Sequence, residues 1–300
     1  SGNATTAVTI DASQNVGIGA SPLSTHSSYR TLRIGGLSHF KTDTGTSAGG
    51  FLGITHNAFI DTDNSWEYII NDEASMYQQL HGTHRFFTAG SGTAGNDISW
   101  SERLRIDKDG RVGIGVTPEE WTVFTPLQIS TSAVFSGRSG TNQTDVANNW
   151  YYDGAEKRIN TGFVARYTQG SAGDHSFYTA TTGAADSTIT FGAPKLYISG
   201  SGNVGIGTND PHANSKLNVE NTSGAAMLYL TSAANNDTSI VFEEAATAKW
   251  LIGHDNSNSD AFTISDGNGF ASGTKFTILS SGNVGIGTTS PNAILDISDA

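Results

Sequence analysis

The sequence predicts an all-β chain of elongated tandem β-modules joined by glycine-alternating connectors, with three full modules and partial ones at either end. Three observations carry the expectation. The quartet Val-Gly-Ile-Gly occurs four times: Val16, Gly17, Ile18, Gly19; Val112, Gly113, Ile114, Gly115; Val204, Gly205, Ile206, Gly207; and Val284, Gly285, Ile286, Gly287. Each copy has an isoleucine six residues before its valine (Ile10, Ile106, Ile198, Ile278). Beyond a proline (Pro22, Pro118, Pro211, Pro291) each also has an apolar-x-apolar triplet: Leu32/Ile34, Leu127/Ile129, Leu217/Val219, Leu295/Ile297. The valines stand 96, 92 and 80 residues apart, too long for a solenoid repeat and suited to one small β-domain per interval.

Each element of the motif has a physical reading. An alternating strand such as Leu104-Arg105-Ile106 runs into a turn of Asp, Ser, Gly and Asn, residues that tolerate positive φ or bond their own backbone. A second strand leaves as Val-Gly-Ile-Gly, which places Val and Ile on one face and both glycines on the other. Glycine weakens an isolated strand, so its alternation marks a place where another backbone comes close. The proline then stops pairing and fixes an extended exit. Strands this short with loops this polar rarely close a dry core alone. The expectation is therefore an intertwined homotrimer in which each connector's Val and Ile meet their symmetry mates on the axis.

The rest of the chain is read outward from the motifs. The expected segments are 1–24 (end of a preceding module and the first connector), 25–118, 119–211 and 212–291 (three β-modules), and 292–300 (start of a further one). Short strands are expected in the first module at 32–34, 51–55, 66–70, 85–88, 98–100 and 104–106. The second repeats the order at 127–129, 150–152, 163–167, 176–180, 188–191 and 195–198, and the third at 217–219, 227–231, 239–242, 249–253, 261–265 and 275–279. His84-Arg85-Phe86-Phe87-Thr88-Ala89 aligns with His175-Ser176-Phe177-Tyr178-Thr179-Ala180, and Trp66, Trp150 and Trp250 are read as one recurring module position.

Composition narrows the function classes. Charged residues are 15% of the chain, against roughly 25% in a typical soluble domain, and Gly, Ser, Thr, Asn and Ala fill the difference, the palette of secreted or virion β-proteins. A net charge of −12 with no Lys/Arg run argues against nucleic acid and against anionic membranes. No apolar run approaches the length of a bilayer span, so no membrane insertion is expected. With no cysteine, disulfide frameworks and metal-thiolate chemistry are excluded. The chain opens on Ser1 rather than Met and reads as a piece of something longer.

Candidate chemistry is sparse. Val-Gly-Ile-Gly lacks the Gly-Lys-Ser/Thr ending of a phosphate loop and is followed by proline and a strand, so it reads as a connector. Asp61-Thr62-Asp63-Asn64 and Asp107-Lys108-Asp109-Gly110 space their carboxylates as a cation site does, but Asp-Gly is also a favoured hairpin turn and no 12-residue calcium loop follows. The eight histidines show no ligand spacing, although on a threefold axis one per chain makes a metal ring. No cofactor is expected, a structural divalent cation being the single exception held open. The acid pairs Asp72/Glu73, Glu119/Glu120 and Glu243/Glu244 are adjacent in sequence, unlike two carboxylates that face each other across a glycosidic bond. Tyr68, Tyr151 and Tyr152 are the candidate glycan-stacking rings; for the neighbouring tryptophans, core packing is the competing account.

The string Ser281 to Pro291, preceded by Phe-Thr-Ile and followed by Leu-Asp-Ile, resembles the repeat of tail-fibre and related structural proteins of tailed bacteriophages. Asn64-Ser65-Trp66-Glu67-Tyr68 and Ser99 to Ile106 look like the same class, and similar repeats occur in large bacterial surface adhesins. The resemblance implies a non-enzymatic, homotrimeric virion fibre, extracellular, that joins other virion tail proteins and presents a binding region for a host-surface glycan or protein. The loops 42–50, 71–83 and 137–149 are the expected contact surfaces. A capsid or appendage decoration fibre, a polysaccharide-depolymerising tailspike and an adhesin stalk are the alternatives.

Overall fold

The computed structural model describes residues 7–45, 50–270 and 272–298. They form an all-β structure with solenoid-like stacking of short strands and no helix among the described residues. The chain divides into two compact units, Ser1–Gly224 and Ala225–Ala300.

In the first unit a single sheet of 17 strands runs from Val8–Ile10 to Leu217–Val219, passing through three of the motifs. The sheet continues across each of these motifs. Neighbouring strands are antiparallel except at the motifs. There Val112 faces Ile106 in an antiparallel pair and Leu127 in a parallel one, and Val16, Val204 and, in the second unit, Val284 repeat both pairings. The isoleucine before each motif and the triplet after it thus flank the central strand in one register. Backbone bonds lock this on both sides: Gly115 N–H donates to the Arg103 carbonyl (2.9 Å) and Ser130 N–H to that of Ile114 (2.8 Å).

The turn is likewise the same in all four copies. Asp107 N–H donates to the Arg111 carbonyl and Gly110 N–H to that of Asp107, and the fourth residue of the turn takes left-handed φ: 66° at Gln14, 82° at Gly110, 80° at Gly202 and 91° at Gly282. A left-handed residue closing a short hairpin is the arrangement that favours glycine there.

The two glycines of the quartet have different reasons. The first lies mid-strand and is buried in every copy; a Cβ on Gly17, Gly113, Gly205 or Gly285 would run into the carbonyl oxygen three residues on, that of Ala20, Val116, Thr208 or Thr288. The close backbone approach that the alternation predicts is thus made by the chain's own exit turn. The second glycine is not on the strand. The strand ends at the isoleucine, and Gly19, Gly115, Gly207 and Gly287 turn the chain with φ of 70°, 67°, 80° and 74°.

Two small hairpins rise from the first unit's sheet: Ala58–Ile60 with Trp66–Tyr68, and Tyr151–Tyr152 with Glu156–Lys157. Each starts at a left-handed asparagine, Asn57 or Asn149, whose side chain clamps the hairpin's base. Asn57 Nδ2 donates to the Ile70 and Glu73 carbonyls (3.2 and 3.0 Å) and Asn149 Nδ2 to those of Asn160 and Phe163 (3.0 and 2.9 Å). The hairpins fold over one face of the sheet and help to form the two buried apolar clusters, around Ala58, Tyr68 and Ile98 and around Trp121, Trp150 and Val164.

The second unit is a sheet of six strands, taken in chain order from Thr238–Glu244 to Leu295–Ile297. Several expectations need correcting. Residues 98–100 and 188–191 form no strand, the pairing nearby being the single bridges Glu67 to Asp97 and Lys157 to Thr188. Residues 227–231 form no strand either. The strands Ser38–Asp43, Ala74–Leu80, Ala133–Arg138 and Thr144–Asn148 were not expected. The tryptophans do not share a position: Trp66 is in a hairpin opposite Ile60, Trp150 precedes the other hairpin and is fully buried, and Trp250 lies on the main sheet of its unit, exposed.

Candidate functional site

The sheets are inverted relative to an ordinary half-buried sheet. Cross-strand pairing aligns Leu32, Phe40, Ile54, Tyr77, Phe86, Leu104 and Ile114 in one row. The next repeat aligns Leu127, Phe135, Val146, Tyr167, Phe177, Leu196 and Ile206 in the same order. The second unit aligns Ile240, Ile252, Ile264, Phe276 and Ile286. Directly opposed residues share a face, so each row is an apolar stripe, and the connector isoleucines belong to it. These stripes are open. Phe135 is 54% exposed, Val146 47% and Phe86 42%, and Ile18, Ile114, Ile206 and Ile286 are all exposed.

The other, covered face carries buried polar side chains beside the apolar clusters. Gln128, Ser136, Asp145, Thr263 and Thr277 are completely buried, and His39, Lys41 and Thr55 nearly so. Burying polar groups while apolar ones face outward costs free energy in an isolated chain, so this patterning fits a chain whose apolar face is covered in its working form.

Two buried cations anchor the hairpins to the covered face. The Lys41 ammonium lies 3.2 Å from the ring centre of Tyr29, 4.0 Å from that of Phe51 and 4.9 Å from that of Trp66. Burial brings its pKa down to about 7, against the pull of Asp43, and brings His39 on the same strand down to about 4, helped by the charge of Arg33. In the next repeat the Arg166 guanidinium sits among Trp150, Tyr178 and Phe191, within 4.5–5.0 Å of their ring centres, and pairs with Glu156 at 2.9 Å. It also lies 3.8 Å from the buried Asp145, whose pKa burial raises although Thr168 and Arg166 oppose the shift.

The residues singled out for glycan contact are placed unequally. Tyr68 is buried, with its hydroxyl donating to the Gly90 carbonyl (2.6 Å). Tyr151 is buried, and burial together with the hydrogen bond it donates to Asp186 (2.9 Å) pushes its phenol pKa up. Tyr152 is half-buried against Phe124 and is the least buried of the three. Of the expected contact loops, 71–83 contains the strand Ala74–Leu80 and 137–149 the strand Thr144–Asn148, so neither is a loop throughout. In 42–50, residues 46–49 lie outside the described residues.

The spaced carboxylates act as turn caps. Asp61 Oδ1 accepts from the N–H groups of Asp63 and Ser65 (3.0 and 2.8 Å), and Asp107 Oδ1 from those of Asp109 and Arg111 (2.9 Å each). Among the described residues no three His, Cys, Asp or Glu side chains gather as a metal site. His84 and His175 occupy matching positions, opposite Ile106 and Ile198. Each ring stacks on a tyrosine and shares a hydrogen bond with its hydroxyl, Tyr77 at 2.5 Å and Tyr167 at 2.6 Å. Neither a known protein family nor a curated protein matches the chain.

Proposed function

We propose that this chain is a non-enzymatic structural segment of a homotrimeric fibre of a phage virion, extending and presenting a host-surface binding region. The observation that carries the reading is the inverted sheet. Apolar stripes of matching composition recur in register through both repeats of the first unit, and a third occurs in the second unit. Such stripes are covered economically by the same stripes of identical copies, and three sheets meeting along an axis enclose one another's apolar faces. The motif's resemblance to phage tail-fibre repeats supports the virion setting, and the connector isoleucines, exposed at all four motifs, are the contacts assigned to the axis. Weak receptor contacts on the outer, hairpin-bearing side then occur once per copy and add through multivalency.

The test is adsorption of the labelled chain to a panel of bacterial cells and their purified surface polysaccharides, with reducing ends assayed in the same samples. Retention on a surface without reducing-end release is the expected result. Release of reducing ends would replace the fibre reading with a depolymerase.

A further inference from the structure

The second unit holds a sheet edge and an apolar segment that match each other but are not paired. In the first unit the strand Ser38–Asp43 pairs on both sides, with Tyr29–Ile34 and Phe51–His56, and Ala133–Arg138 does the same between Phe124–Ile129 and Thr144–Asn148. In the second unit Thr238–Glu244 pairs only with Thr247–Asp255 among the described residues, which leaves its other edge open. Just before it, residues 227–231 read Met-Leu-Tyr-Leu-Thr and belong to no strand, with Leu228 68% and Tyr229 79% exposed. An open edge beside an exposed apolar segment is a liability that a folded chain normally removes by pairing or covering.

The turn between them is already formed. Asn235 takes left-handed φ (62°), and Thr238 Oγ1 donates to Ser232 Oγ at 3.0 Å, setting these two residues across from each other. Continued as an antiparallel pair, that register puts Leu230 opposite Ile240 and Tyr229 opposite Val241. Leu230 would then extend the row Ile240, Ile252, Ile264, as Phe40 and Phe135 extend theirs. At present Leu228 and Leu230 instead line, with Ile240, Ile252 and Phe262, a groove of about 570 Å³ on that apolar face.

We infer that residues 227–231 are a strand that forms on assembly. In the single chain the two leucines lie over the unit's apolar face; when other copies cover that face, the segment moves to the open edge of Thr238–Glu244 of its own chain. The inference rests on the assembly reading above.

The experiment uses the double variant Tyr229→Cys/Val241→Cys in a chain that has no other cysteine. It is oxidised across a dilution series, with light scattering and a non-reducing gel on each sample. Paired strands bring the two Cα atoms within disulfide range, about 4.4–6.8 Å. Multimers are expected to carry an intrachain disulfide and single chains to lack it, and in the unsubstituted chain the amides of 227–231 gain exchange protection on assembly. Multimers without the disulfide, or with an interchain one, overturn the inference while the assembly reading stands. A single-chain mass at every concentration overturns the assembly reading and the inference with it.

Discussion

Phe135 and Ser136 are consecutive residues of one strand in opposite surroundings: the phenylalanine is 54% exposed and the serine is fully buried. Alternation along a strand is ordinary, but here its sign is reversed. A single polar substitution on the outward face therefore separates folding from assembly. Phe135→Asp leaves the melting temperature of the dilute single chain within a few degrees of the parent and abolishes multimers in light scattering. Loss of the fold in the dilute variant would show that the ring already stabilises the lone chain.

The connector glycines divide by mechanism. Gly113→Ala drives a methyl group into the Val116 carbonyl and Pro118 and costs about 1–3 kcal/mol. Gly115→Ala meets open space but holds a positive φ and costs about 1–2 kcal/mol. Gly90→Ala, with neither constraint, is the control and stays near neutral. Denaturant unfolding of the three variants checks the order.

Lys41 gives the stability a pH dependence of known sign. Its amine has an ordinary pKa of 10.5 and titrates at about 7 in the folded chain, so between those values the unfolded state binds a proton that the folded state lacks. Stability therefore rises with pH across that window, and the full penalty applies below it. His39, lowered from 6.5 to about 4, acts in the same direction between those values, so stability falls on acidification through them. Stacking a cation on aromatic rings is worth about 2 kcal/mol when desolvated, and here it opposes the burial that lowers the amine's pKa. Lys41→Met flattens the alkaline slope and stabilises the chain at pH 6, where the parent bears the burial penalty of the charged amine. Chemical unfolding from pH 4 to 10 measures both slopes.

Arg166 is the converse case, a buried cation with partners. Arg166→Ala removes the counter-charge of Glu156 and the buried Asp145, which keep only the neutral donors Trp150, Thr168 and Gln143, and costs about 3–5 kcal/mol. Adding Asp145→Asn recovers part of the loss, because a neutral amide no longer needs the guanidinium. A double-mutant cycle read by thermal unfolding gives the coupling.

What was legible in the sequence follows from the same inversion. The motif hairpins were readable because each isoleucine stands six residues before its valine, and the triplet beyond the proline, although its distance varies, falls in the same register, as Ile106, Val112 and Leu127 do. The His84 and His175 strands aligned because they share a His-x-Phe-aromatic-Thr-Ala string. Ser38–Asp43 and Ala133–Arg138 were missed because their alternation pairs exposed Phe40 and Phe135 with buried Lys41 and Ser136, a pattern that does not resemble an ordinary core strand. Residues 227–231 have the periodicity of a strand but no strand partner among the described residues, and pairing is a property of the neighbour as much as of the segment. Tyr68 and Tyr151 read as rings for ligands until the Gly90 carbonyl and Asp186 are seen to hold their hydroxyls.

The central claim is that the outward apolar stripes are covered by identical copies of this chain. The mass in solution by light scattering tests it most directly. Three times the 31.4 kDa of one chain, falling to the single-chain value in Phe135→Asp, is the predicted result. A parent chain that stays at 31.4 kDa at every concentration would contradict it.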